Sequence, residues 1–321
     1  MYDIIGDIHG YAAPLRRMLE KLGYKKTGGI WHHPGRKMIF VGDYIDRGPD
    51  IHETLQIIKG MVDSDNAIAL MGNHEYNALA YHTSNAGNPL RRHSEQNTRQ
   101  HHATLEQFSA FPEEWQMYLE WFYTLPLFFE DKGIRVVHAC WDDDHIQWLK
   151  DRHQSRSENR DGLTANYVTL DEDLLITSHD KSTEAYTVIE ETLKGKEFDI
   201  PEKYAWPDKD GHRRNSNRTK WWVNLFESNY GNWLFNCPPE MEALTIVTEG
   251  ILPYFYPADA PPVFFGHYWM EHTTPVIQEK NVVCLDYSVA KGGSLVGYRW
   301  NGEHEVYTKN LVRVKYNEVS E

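Results

Sequence analysis

Three short runs carry residue types able to do chemistry: Gly6-Asp7-Ile8-His9-Gly10, Gly42-Asp43-Tyr44-Ile45-Asp46-Arg47-Gly48 and Gly72-Asn73-His74-Glu75. Carboxylate, imidazole and amide side chains together suit first-row divalent ions. A carboxylate shared by two such ions can hold them about 3.5–4 Å apart, a spacing used to cleave phosphoryl bonds. A lone Asp or His beside a strand is ordinarily a cap or a surface residue. Three such runs, in order and each directly after an apolar stretch, are not accounted for in that way. His138 and His267 also follow apolar strands, as ligands fixed on a rigid scaffold should. Taken singly, either could equally be a satisfied core histidine.

The elements that position these runs alternate. Tyr2 to Ile5, Lys37 to Val41 and Ala67 to Met71 read as strands, and Ala12 to Leu22 and Ile51 to Val62 as amphipathic helices between them. This βαβαβ pattern predicts a parallel sheet covered by helices. Ligands bind at the carboxyl ends of the strands in such sheets, so the three loops converge on one site. Residues 85–107 are polar and read as a surface insertion or lid. A helix is expected near Glu113 to Leu125 and a strand at Ile134 to Cys140. Strands return at Pro262 to Phe265, Asn281 to Asp286, Ser294 to Trp300 and Glu305 to Val314. The economical description is one α/β core carrying an insertion.

The 321 residues hold 33 Lys and Arg against 47 Asp and Glu, a formal charge of −14. That sign argues against a nucleic-acid partner. Apolar stretches such as Phe122 to Phe129 fall far short of the roughly 20 residues that span a bilayer, so no membrane partner is expected. The three cysteines, Cys140, Cys237 and Cys284, are widely spaced, which favours neither a disulfide framework nor a zinc ribbon. With no leader-like start, the expectation is a cytoplasmic protein.

The three motifs resemble the calcineurin-like metallophosphoesterases. Within that superfamily they are similar to the branch holding the Ser/Thr phosphoprotein phosphatases and the bacterial diadenosine tetraphosphatases. The resemblance is dense over residues 1–82. It returns at Val136-Val137-His138, at Phe265-Gly266-His267, and from Leu285-Asp286-Tyr287 through Gly292-Gly293-Ser294-Leu295, and it is thin over the middle of the chain. It implies an α/β fold with a central β-sandwich of two mixed sheets flanked by helices. A single domain, 1–321, would then have its core in 1–142 and 250–321, with 143–249 an inserted helical and irregular cap that shapes specificity.

Carried over residue by residue, the resemblance assigns Asp7 and His9 to a first metal, Asp43 to both, and Asn73, His138 and His267 to a second. Two divalent ions are implied, manganese foremost, with iron, zinc, nickel, cobalt or magnesium also fitting. Many superfamily members have a second His two residues after the one at His267. Here that position is Trp269, which leaves the first metal three protein ligands. The implied mechanism is in-line attack on phosphorus by a hydroxide bridging the ions. His74 would protonate the leaving oxygen, Asp46 would orient His74, and Arg47 would fork two phosphoryl oxygens. The branch uses a second arginine, for which Arg213, Arg214 and Arg218 are candidates; Arg213 and Arg214, with Arg47, are the expected substrate-binding residues. Glu75 is expected to support a helix start. Trp221 and Trp222 are expected in a core rather than against a base, and His93, His101 and His102 at the surface.

The leading functional expectation is a dinucleoside tetraphosphatase-like hydrolase of phosphate monoesters or phosphoanhydrides. The alternative is a Ser/Thr or Tyr phosphoprotein phosphatase. A lesser alternative is a non-catalytic module that binds nucleotides or partner proteins. The partner is accordingly a phosphorylated small molecule or a phosphoprotein.

Overall fold

The computed structural model describes residues 1–131, 133–157, 167–207, 213–248, 254–271 and 274–317. Strands β1 (Tyr2–Ile5), β2 (Lys37–Phe40) and β3 (Ala67–Ala69) pair in parallel and in that order. Opposite them lies a second sheet. In it β4 (Phe128–Asp131) is antiparallel to β5 (Ile134–Val137), and β5, β6 (Val263–Phe265) and β7 (Val282–Cys284) are parallel. The chain then returns to the first sheet through β8 (Asp286–Tyr287), β9 (Ser294–Trp300) and β10 (Leu311–Lys315), with β9 antiparallel to β1, β8 and β10. Both sheets are therefore mixed, as expected.

The parallel strands β1, β2 and β3 are largely apolar on both faces because both faces are covered. Ile4, Ile39 and Ile68 share the layer between the sheets with Val136, Phe264 and Val283. Their neighbours Ile5, Phe40 and Ala69 join the other apolar layer, with residues of α1 (Ala12–Lys21) and α2 (Ile51–Asp63). These helices supply Leu15, Met18 and Leu19, and Ile51, Leu55 and Ile58, at the i, i+3, i+4 and i+7 spacings of one helical face.

Helix α3 (Asn73–His82) starts within the third motif, at Asn73, and α4 (Glu95–Phe108) and α5 (Pro112–Phe122) follow it. The stretch read as a polar insertion is thus largely a helix, and it buries His101, Thr104 and Phe108. Residues 143–248 contribute α6 (Asp143–Ser157), α7 (Glu172–Thr177), α8 (Glu184–Lys194) and an antiparallel pair, Glu197–Asp199 with Ser216–Arg218. Ile146, Leu149, Val188 and Leu193 join the main core. Ile200, Leu225, Trp233, Leu234 and Met241 form a separate small one. Trp221 and Trp222 are buried in the main core, as expected.

One strand expectation fails. Over Glu305 to Val314 only β10 pairs, and Thr308–Asn310 is a 3-10 turn. The Tyr298 hydroxyl accepts from the Tyr307 N–H at 3.0 Å, and Glu303 accepts from the Asn310 side chain at 2.7 Å. These bonds satisfy the segment locally in place of a ladder. Among the described residues no helix is long and apolar enough to cross a membrane.

Candidate metal centre

The three motif loops meet at the carboxyl ends of β1, β2 and β3, and the turns after β5 and β6 close the site from the second sheet. Two glycines allow this approach. A Cβ on Gly6 would lie 2.1 Å from the Leu285 carbonyl oxygen, and one on Gly266 would lie 1.9 Å from Asp7 Oδ1. The Asp7 carboxylate therefore sits against the turn that carries His267, whose backbone N–H donates to Asp7 Oδ2 at 3.0 Å.

Four of the converging residues hold a left-handed backbone: His9 at φ 51°, Asp43 at 56°, Asp46 at 85° and His267 at 64°. Such conformations cost on the order of 1–3 kcal/mol each in a non-glycine residue. The surrounding bonds fix them. The His9 N–H donates to the Asp43 carbonyl at 2.8 Å. Glu75 accepts from the backbone N–H groups of Gly72, Asp43 and Tyr44 at 3.1, 2.9 and 2.8 Å. Glu75 thus braces the start of α3 and the second motif loop together, the support expected of it.

Asp43 lies at the middle. Its Oδ2 is 3.6 Å from His9 Nε2 and 3.9 Å from His74 Nε2, and its Oδ1 is 3.3 Å from His138 Nε2. His9 Nδ1 bonds the Ile45 carbonyl at 3.0 Å and His138 Nδ1 bonds that of Val41 at 2.9 Å. Each ring thereby donates from Nδ1, leaving the Nε2 lone pair turned into the site. Asn73 Oδ1 is 3.0 Å from His138 Nε2. The buried Nε2 of His267 has no hydrogen-bond partner among the described residues. Two donor groups result, His9, Asp43 and His74, and Asp43, His138 and His267.

Electrostatics leave the cluster with neutral imidazoles and crowded carboxyl groups. Burial pushes His9 down to about 3 and also lowers His138 and His267, keeping the imidazoles neutral. Burial, with the Asp286 and Asp43 carboxylates beside it, holds Asp7 well above the ordinary carboxyl range. Asp43 goes the other way, to about 2, because His138, His74 and His9 outweigh its burial. Neutral imidazoles with unused lone pairs, beside an Asp7 carboxyl that burial and like charge push up, fit divalent metal ions, which would take Asp7 as the carboxylate.

Beside this cluster, Asp46 Oδ2 bonds His74 Nδ1 at 2.6 Å. Its Oδ1 accepts from His101 Nδ1 at 2.6 Å and from the Thr104 hydroxyl at 2.7 Å, while the Asp46 N–H donates back to Thr104 Oγ1 at 3.1 Å. Burial would raise Asp46; the bonds from His101 and His74 outweigh it and hold the carboxyl well below its usual range. Burial lowers His74, but Asp43 and Asp46 prevail and raise it.

The expectation that His101 lies at the surface is overturned: it is 4% exposed. Its partner is neither His93 nor His102 but Asp46, reached because His101 and Thr104 lie three residues apart on one face of α4. That spacing was the available signal. His102 is exposed, and His93 bonds the Tyr81 carbonyl and stacks on the Tyr81 ring.

A cavity of about 400 Å³ opens over the cluster, and Arg47, Arg91, Arg99 and Arg218 line it. Arg218 donates to the His267 carbonyl at 3.3 Å. Arg213 and Arg214 form a two-residue strand paired with Trp206–Pro207, and their side chains lie outside the described residues.

Residues 2–200 match the calcineurin-like phosphoesterase family. The chain is 45% identical over 73 residues to the asymmetrical bis(5'-nucleosyl)-tetraphosphatase PrpE of a Geobacillus species, a match spanning 22% of this chain and 30% of that protein. It is 36% identical over 154 residues to the PrpE of Bacillus thuringiensis, spanning 45% of this chain and 59% of that one. The chain thus spans less than two thirds of the length of these curated relatives. Among solved structures, the cold-active protein-tyrosine phosphatase of a psychrophilic Shewanella species aligns at 16% identity and a TM-score of 0.48, covering 98% of this chain and 78% of that one. By its motifs, and by a family match over well over half its length, the chain belongs to the calcineurin-like phosphoesterase family.

Proposed function

We propose that the chain is a dinuclear metal-dependent phosphoesterase that cleaves the phosphoanhydride chain of a dinucleoside tetraphosphate. The observation that carries this reading is Asp43, whose two carboxylate oxygens face different histidines, His9 on one side and His138 on the other. In this reading Asp7, His9 and Asp43 hold one ion, and Asp43, Asn73, His138 and His267 hold the second. Bound there, two divalent ions supply Lewis acidity to the phosphoryl oxygens and lower the pKa of a water.

The remaining work falls to side chains of the cavity wall. Arg47 and Arg218 are guanidiniums able to fork phosphoryl oxygens and align the phosphorus. His74 Nε2 faces the cavity while Nδ1–H is held by Asp46, so His74 is the proton donor to the departing oxygen. Asp46 keeps that ring oriented and cationic, and His101 and Thr104 fix Asp46 in turn. The tetraphosphate substrate is supported by the names of the curated relatives and by the arginine-lined cavity.

The test is phosphate and nucleotide release by manganese-supplemented protein from diadenosine tetraphosphate, an aryl phosphate and a phosphopeptide. Cleavage of the dinucleotide with the highest kcat/KM is expected. Preference for the phosphopeptide would instead make the protein a phosphoprotein phosphatase. No release from any of the three under any divalent metal would contradict the enzyme reading.

A further inference from the structure

Arg91 has a placement that cleavage of a single phosphoryl group does not require. It follows the end of α3, and its side chain lines the same cavity as Asp43 and His74. Its hydrogen bonds among the described residues end on two neutral amide oxygens, Asn77 Oδ1 at 3.1 Å and Gln100 Oε1 at 2.8 Å. Arg91 is half-buried, and a guanidinium drawn partly out of water is commonly matched by a carboxylate, because uncompensated charge there is costly. Burial pushes the Arg91 pKa down; the carboxylates of Asp46 and Glu190 oppose that from a distance, and Glu190 is paired with Lys194. Amides that accept from Arg91 hold its fork in one orientation without neutralising it.

The position of that fork is set by α3. Asn73 and His74 begin the helix at the metal cluster, and Asn77, one turn later, also lines the cavity. One turn advances about 5.4 Å along the axis. Arg91, held on Asn77, therefore stands one step outward from the reacting centre, along the wall a phosphate chain would follow. Arg47 and Arg218 already supply two guanidiniums for the phosphoryl group under attack. A further cation, oriented by amides and with no carboxylate bonded to it among the described residues, is matched to another anionic group on the same molecule.

We propose that Arg91, oriented by Asn77 and Gln100, is a second phosphoryl subsite that grips the phosphate next to the one being cleaved and so selects phosphoanhydrides over monoesters. The inference rests on the phosphoesterase reading of the site. It adds a recognition residue outside the metal and proton-handling set.

The test compares wild type, Arg91→Ala and Arg91→Lys in the presence of manganese. The first readout is the ratio of kcat/KM for diadenosine tetraphosphate to that for an aryl phosphate. In Arg91→Ala this ratio is expected to fall about tenfold or more, as the loss of one charge-assisted contact implies, and in Arg91→Lys to recover in part. The second readout is calorimetric binding of inorganic tripolyphosphate and of inorganic phosphate, which needs no turnover. Arg91→Ala should weaken tripolyphosphate by a similar factor and phosphate much less. An equal loss for both substrates and both anions, or no change in either ratio, would overturn the subsite and leave Arg91 as a tie between the chain after α3 and α4. If wild type cleaves only the aryl phosphate, the dinucleotide reading falls while the tripolyphosphate comparison still decides the subsite. Should Arg91→Ala fail to fold, Arg91→Gln carries the same comparison.

Discussion

Two clusters in this protein hold the same residue types and differ in what surrounds them. One joins Asp43 to His9, His74, His138 and His267; the other joins Asp142, His145 and Glu191. In the second, Lys196 Nζ lies 2.8 Å from Asp142 Oδ2 and pairs with Glu191 as well. Asp142 Oδ1 also accepts from the Asp144 N–H at 2.9 Å, at the start of α6. Burial raises Asp142, but Lys196 prevails and holds it below the ordinary range. At the first cluster, burial and neighbouring carboxylates raise Asp7 instead. Among the described residues, left-handed backbone occurs at His9, Asp43, Asp46 and His267 and at no member of the second cluster. Residue type alone therefore does not mark a metal site. Each cluster holds a buried imidazole nitrogen without a hydrogen-bond partner among the described residues, His267 Nε2 in the first and His145 Nδ1 in the second, so what separates them is an internal counter-cation in one and strained backbone in the other.

The largest effect that can break this comparison is removal of the shared carboxylate. Asp43→Asn should abolish nearly all turnover and lower metal content, a loss beyond the roughly 100-fold that outer partners of a metal site cost. Elemental analysis beside the activity assay checks it. Next, His74→Ala should cut turnover about 10²–10⁴-fold while metal content is kept; equal loss of both would make His74 a ligand. A smaller effect is expected at His101, which borders the cavity and reaches His74 through Asp46. His101→Ala should lower kcat on the order of 10-fold, and an unchanged kcat would reduce it to a packing residue.

The smallest effect on function belongs to the second cluster. Asp142→Asn should leave metal content and turnover alone and lower stability by about 1–3 kcal/mol at neutral pH. The sign follows from the lowered pKa of Asp142 in the fold. Its contribution is present above the unfolded carboxyl pKa and is lost as pH falls through the lower folded value. Thermal unfolding of both proteins between pH 7 and acid should show the gap closing.

Much of the site was legible because it is local. Asp7, His9, Asp43, Asp46, Asn73 and His74 stand directly after strands whose apolar runs announce them, and the fold brings all six together. His138 and His267 were placed by resemblance to a known family, since nothing in their own neighbourhoods distinguishes a ligand from a core histidine. His101 was misread because 85–107 is polar in composition, and its burial comes from a tertiary bond to Asp46. The second arginine was undecided for a similar reason. Arg218 lies on a strand whose pairing with Glu197–Asp199 sets which side chains line the cavity, and register of that kind is not written locally. The strand expected from Glu305 was displaced by bonds to Tyr298 and Glu303, contacts made by the folded chain.

Anomalous diffraction at the manganese edge, from crystals of manganese-loaded wild type, tests the central claim most directly. The account predicts two peaks per chain, both within coordination distance of the Asp43 carboxylate, and no peak between Asp142, His145 and Glu191. A single peak at Asp43, or an ion seated at the Lys196 cluster in place of either, would contradict it.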